Sequence, residues 1–95
     1  MTVGAEIPGA AKPHLPRGVR LRRDEARAQW QLLAPERVLQ LDPIAAEILQ
    51  RCTGTATLDA IVDELAKTFA ADRERINTDV RAMIAGLVDK KVLDL

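Results

Sequence analysis

Apolar residues fall along this chain in two rhythms, first every second position and then every third or fourth. Val19 and Leu21 alternate with Arg20 and Arg22, which predicts a half-buried strand over 19–24. A turn at Glu25 to Arg27 leads into a second strand over 29–34, with Trp30, Leu32 and Ala34 on one side. Pro35-Glu36 makes the next corner, read as a type I turn because proline presets φ at its first position. Residues 37–41 form a third strand: Arg37, Leu39 and Leu41 share one face, Val38 and Gln40 the other. A short exposed strand of this kind can hold another polypeptide through backbone hydrogen bonds.

Beyond Leu41 the period lengthens. Asp42-Pro43 starts a helix, since aspartate accepts bonds from the first free amides and proline fits the first helical position. Ile44, Ile48, Leu49 and Cys52 recur on one face, and Thr53-Gly54-Thr55 stops the helix with Gly54 as a left-handed cap. Thr57 caps a second helix with the stripe Leu58, Ile61, Val62, Leu65 and Phe69. Asp59 and Lys67 complement its dipole. Asp72 caps a third, longer helix that turns Ile76, Val80, Met83, Ile84, Leu87 and Val88 inward. Lys90 and Lys91 sit at its C-terminal end, and Val92, Leu93 and Leu95 pack back on the core. Three strands followed by three helices predict an α+β domain: a three-stranded antiparallel sheet with helices on one face, like a winged helix-turn-helix whose wing comes first.

Residues 1–18 carry Pro8, Pro13, Pro16, Gly4, Gly9 and Gly18 and show neither period. They read as a flexible N-terminal arm, or as an arm that docks or swaps, ahead of a domain over 19–95. Ninety-five residues make a single domain, and one this small is only marginally stable alone. Fourteen basic residues balance fourteen acidic ones, which argues against a dedicated nucleic-acid binder, although Arg17, Arg20, Arg22, Arg23 and Arg27 crowd one region. Trp30 and Phe69 are the only aromatics, too few for a base-stacking platform. With no signal peptide and no apolar run of the roughly 20 residues that span a bilayer, the expectation is a soluble cytoplasmic protein without membrane contact.

The residue types that carry chemistry are scattered. His14, the lone histidine, lies in the proline-rich arm and reads as solvated; a metal site needs several converging ligands. Cys52, the lone cysteine, sits on an apolar helix face as a small hydrophobe. Asp24-Glu25, Asp63-Glu64 and the acids around 72–74 lie at turns or on polar helix faces. No phosphate loop, Ser-His-Asp set or cysteine pair is present, so the expectation is a non-enzyme with no cofactor and no metal. Two alternatives stand beside the binding module. One is a winged-helix DNA-binding protein, against which Glu74 and Asp79 on the third helix would face phosphates at a repulsive cost. The other is a small subunit lending residues to a larger partner's active site.

Leu32-Leu33-Ala34-Pro35-Glu36-Arg37, Leu39-x-Leu41 and Ala45-Ala46-Glu47-Ile48-Leu49 together resemble the PqqD family of pyrroloquinoline quinone biosynthesis. The resemblance continues through Cys52-Thr53-Gly54-Thr55-Ala56-Thr57-Leu58, Ile61-Val62, Asp79-Val80, Met83-Ile84, Leu87 and Val92-Leu93, covering 15–95. Thr53 departs from the family, which often has aspartate before the glycine. The resemblance implies a peptide chaperone that binds a ribosomal precursor peptide and presents it to a radical S-adenosylmethionine (SAM) enzyme. The peptide would add as a strand beside the third β-strand, against the third helix. On this chain the strand contributors would be Arg37, Val38, Leu39, Gln40 and Leu41, and the helix contributors Arg75, Ile76, Asp79, Val80 and Met83. Leu39, Leu41, Ile76, Val80 and Met83 are first of all core positions, and groove contact is their second reading. A homodimer formed through the same sheet edge would compete with the peptide.

Overall fold

A computed structural model describes residues 7–95 of the chain. Its elements are β1 (Arg20–Asp24), β2 (Gln29–Ala34), β3 (Arg37–Leu41), α1 (Pro43–Gln50), α2 (Leu58–Thr68) and α3 (Arg73–Asp89). The strands form one antiparallel sheet in the order β1-β2-β3, followed by the three helices, as expected from the two rhythms. Register places Leu21, Leu32 and Leu39 in one row across the sheet, and Leu32, the middle of the row, is fully buried. Around it pack Ile48 and Leu49 of α1, Leu58, Ile61, Val62 and Leu65 of α2, and Val80, Ile84 and Leu87 of α3. Val92 and Leu93 close the core from the C-terminal end.

The helix starts follow the sequence at two of three positions. Asp42 Oδ1 accepts from the Ala45 amide at 2.7 Å, and Thr57 Oγ1 from the Ala60 amide at 3.1 Å. Asp72 precedes α3 but makes no side-chain capping bond, so that expectation is corrected. The first turn of α3 is held instead by ion pairs from Arg73 to Asp63 and Asp59.

Four corners depart from the expected chemistry. Ala34 pairs directly with Arg37, so the β2–β3 loop has only Pro35 and Glu36. Glu36 has φ +60°, whereas a type I turn needs about −90° there, so this corner fits type II. Gly54 is left-handed at φ +86°, but α1 has already ended at Gln50; Gly54 turns the loop so that its amide reaches Pro13 O at 3.0 Å. Ala70 and Lys91 occupy the left-handed position just past α2 and α3. At each end two amides return to the last turn, Ala70 to Lys67 O and Ala71 to Ala66 O, Lys91 to Val88 O and Val92 to Leu87 O. These are Schellman endings built without glycine, which is why the sequence carried no glycine signal for them.

The largest departure concerns the segment ahead of β1. Residues 7–18 are packed against the domain, as in the docking alternative and unlike the flexible arm over this stretch; the remainder, 1–6, lies outside the described residues. Ile7 is buried in the core and Pro13 is fully buried. The carbonyls of Gly9 and Ala11 accept the amides of Asp59 (3.0 Å) and Leu58 (2.8 Å) at the start of α2. These amides have no partner within their own helix, so the strap supplies what helix geometry leaves open. His14 exchanges two backbone bonds of 2.9 Å with Asp94, and its Nδ1 bonds Lys12 O at 3.0 Å. It is therefore half-buried between the Thr53 loop and the C-terminus, not a solvated tail residue.

Candidate functional site

The two-residue β2–β3 loop sets which atoms of β3 are free. Its flanking pair, Ala34 and Arg37, must be a hydrogen-bonded one, so Leu39 and Leu41 also exchange bonds with β2, opposite Leu32 and Trp30. The N–H and C=O groups of Val38 and Gln40 then point away from β2, to the outer edge of the sheet. Among the described residues, no main-chain hydrogen bond other than those of the β2 ladder reaches β3. Among the described residues the border is vacant.

Two observations place α3 alongside that border. At the start of β3, Arg37 Nη2 donates to Lys90 O at 2.9 Å, just past the end of α3. Beyond the other end of β3, Ile44 lines a cavity of about 290 Å³ together with Ile76, Asp79, Val80 and Met83 of α3. Strand and helix therefore run in opposite directions past one another, and the cavity lies beyond the end of β3, with no β3 residue in its walls. Its remaining walls are Ile48, Leu65 and Phe69, so Asp79 is the only polar residue in it.

The structure brings together four of the five expected helix residues, Ile76, Asp79, Val80 and Met83, at this cavity. Val80 is buried and forms part of the floor, while Ile76 and Met83 are half-buried and Asp79 is exposed. Arg75 is exposed and does not line the cavity. Of the strand residues, Val38 and Gln40 are exposed, whereas Leu39 and Leu41 lean into the sheet's inner face. Arg37 crosses to α3 as a brace.

Sequence reasoning missed Ile44, Ile48, Leu65 and Phe69 as site residues. Ile44 and Phe69 were placed on core stripes, yet they are 62% and 48% exposed. Both sit at helix ends, Ile44 in the first turn of α1 and Phe69 at the C-cap of α2, where the apolar stripe runs past the core it covers. Exposed large apolar residues on the rim of an apolar cavity are the signal that marks a docking site.

Cys52 takes no part. Its thiol donates to Ile48 O at 3.2 Å, and burial pushes its pKa from 9.0 up to about 12, so the thiolate is not formed near neutrality. No group of three or more His, Cys, Asp or Glu able to hold a metal occurs among the described residues. None of their helices is long and apolar enough to cross a membrane.

Comparison with known proteins converges on one family. The sequence profile for coenzyme PQQ synthesis protein D (PqqD) matches residues 29–93. A PqqA binding protein of Rhodopseudomonas palustris (strain BisB5) is 54% identical over 84 residues, covering 88% of this chain and 82% of that one. A PqqA binding protein of Xanthomonas axonopodis pv. citri (strain 306) is 48% identical over 85 residues, covering 90% and 92%. The fold is similar to the solution NMR structure of the PqqD truncation of Methylobacterium extorquens PqqCD, described as a functional, stand-alone recognition element for ribosomally synthesized and post-translationally modified peptides. That likeness has a TM-score of 0.82 at 42% identity, over 97% of this chain and 98% of that one. The crystal structure of PqqD from Xanthomonas campestris matches with a TM-score of 0.60 at 47% identity, over 94% and 99%.

Proposed function

The chain belongs to the coenzyme PQQ synthesis protein D (PqqD) family, and on that premise we propose that it binds the ribosomal precursor peptide PqqA as an added strand along β3 and presents it to a radical SAM enzyme. The observation that carries the reading is the vacant border of β3 running past α3 to an apolar cavity. Val38 and Gln40 supply the outward backbone groups, and a guest strand satisfies them with little demand on its sequence. Specificity then comes from the cavity. An apolar guest side chain seated among Ile44, Phe69, Ile76, Val80 and Met83 removes exposed apolar surface on both partners. Burying one such side chain contributes about 1.5–3 kcal/mol. Asp79 at the same cavity favours a basic residue beside that apolar one.

The chain acts by holding its guest, without turnover of its own. The names of its relatives as binding proteins support this, as does a sole cysteine held in its neutral form. A second copy of the chain pairing at the same border would displace the peptide, so binding should weaken if the protein dimerises there. Titration of ¹⁵N-labelled protein with the precursor peptide tests the reading. Amide shifts concentrated at Val38, Gln40, Ile44, Ile76 and Met83 are expected. A titration that leaves β3 and α3 unmoved while shifting other surfaces would overturn it.

A further inference from the structure

Gly86 stands in the interior of α3, where glycine is the least favoured residue after proline. The fold demands the other described glycines. Gly18 and Gly54 are left-handed at φ +84° and +86°, and a Cβ at Gly9 would run into the Asp59 carboxylate. Gly86 has an ordinary helical backbone, and a Cβ there would meet no atom within 4 Å outside its chain neighbours and its own helix backbone. The position is exposed, so neither backbone geometry nor packing asks for glycine.

The space in front of Gly86 is the channel beside β3. Asp79, Met83, Gly86 and Lys90 follow at i, i+4, i+7 and i+11, along one face of the helix. Asp79 and Met83 of that face line the apolar cavity, and Lys90 O receives the Arg37 brace from the start of β3. Gly86 therefore lies between cavity and brace, where α3 presents bare backbone. The brace also sets the level along β3. From Arg37 to Leu39 the strand advances about 6.6 Å. From Lys90 back to Gly86 the helix covers about 6 Å in the same direction. Leu39 and Gly86 thus stand level across the channel.

A strand added through Val38 and Gln40 places one residue opposite Leu39. Cross-strand neighbours share a face, so that side chain points with Leu39 towards the helices and arrives over Gly86. Met83 is one turn away towards the cavity, and the Arg37 guanidinium is one turn away towards the end of α3. The missing side chain leaves room for a flat ring against the helix backbone, and a thioether and a guanidinium both attract aromatic rings.

We propose that Gly86 is a specificity-determining residue of the channel, opening a recess for an aromatic side chain that the guest strand carries opposite Leu39. This rests on strand addition at β3 and adds a second anchor to the one seated in the cavity.

A double-mutant cycle read by calorimetric titration tests it. The full chain, as wild type and Gly86→Leu, is titrated with the precursor peptide and with peptides in which each aromatic residue in turn is replaced by leucine. Gly86→Leu should weaken binding of the unchanged peptide at least about five-fold. One leucine-substituted peptide should lose as much on the wild type and nothing further on Gly86→Leu, because both changes abolish the same contact. Gly86→Ala should raise the thermal midpoint, since alanine is the better helix former and has open space around it.

A smaller loss for Gly86→Leu overturns the proposal, as do losses that multiply or a peptide series in which no aromatic replacement lowers affinity. So does a lower thermal midpoint for Gly86→Ala, which would make the glycine a requirement of the fold. A wild-type dimer in sedimentation that Gly86→Leu breaks overturns it too, since the recess would then seat a second copy of the chain. Amide shifts separate this outcome from failure of the proposed function. If β3 amides move on titration while Gly86→Leu binds normally, the recess alone is refuted; if they stay still, strand addition falls and the recess with it.

Discussion

Replacing Gln40 by proline removes an outward N–H from β3 and leaves the β2–β3 ladder whole. Gln40 lies opposite Gln31 in a pair that exchanges no bonds, because bonding alternates from the Ala34–Arg37 corner. Proline is tolerated on an edge strand when the lost N–H faces outward, so stability should change by no more than about 1 kcal/mol. Binding should suffer more. A guest carbonyl that met the Gln40 amide is left without a donor in a desolvated contact, which costs about 1–3 kcal/mol. At the middle of that range the affinity for the precursor peptide falls about 30-fold. Calorimetric titration gives the affinity and urea unfolding checks the fold. Leu39→Pro is the contrast: its N–H belongs to the ladder opposite Leu32, and its loss should cost about 3 kcal/mol or more and unfold the sheet. A folded Gln40→Pro variant that binds peptide within about three-fold of wild type would refute strand addition at this border.

Four other outcomes follow from the packing. Ile44→Ser and Phe69→Ser should each change stability by less than about 0.5 kcal/mol, since both side chains are exposed. Each should nonetheless weaken peptide binding by about 1–2 kcal/mol through lost apolar contact, read by the same titration. Deleting residues 1–11 strips Ile7 from the core and two carbonyls from the start of α2, so chemical unfolding should show a loss of about 2–4 kcal/mol. Lys91→Gly relieves a left-handed residue at φ +62° and should raise stability by about 0.5–1 kcal/mol in thermal melts. The buried thiol of Cys52 has its folded pKa raised from 9.0 to about 12. The unfolded chain therefore loses its proton first as pH rises, and stability due to the neutral thiol is full below 9.0 and lost between there and about 12. The slope should approach about 1.4 kcal/mol per pH unit in that window and be absent in Cys52→Ala.

The strands and helices were legible because local rules decide them. Alternation put Leu21, Leu32 and Leu39 on one face, and Asp42-Pro43 and Thr57 marked helix starts through bonds made within three residues. The vacant β3 border was also readable, since three consecutive strands joined by short turns leave their outer edges open. Half of the cavity was legible on α3, where Ile76, Val80 and Met83 share a face. Ile44 and Phe69 were not, because periodicity says which way a residue points but not whether the core extends that far. Nor was the strap: residues 9–14 have no rhythm of their own and are ordered by the unpaired amides of α2 and the Asp94 backbone, groups some 45 to 80 positions away. Local sequence thus determined the elements and the open border; only tertiary packing decided which apolar ends stay in water and what ties down the N-terminal stretch. The physical reason is that capping and alternation act over a few residues, whereas burial and the pairing of orphan amides depend on chain segments that meet only once the core has formed.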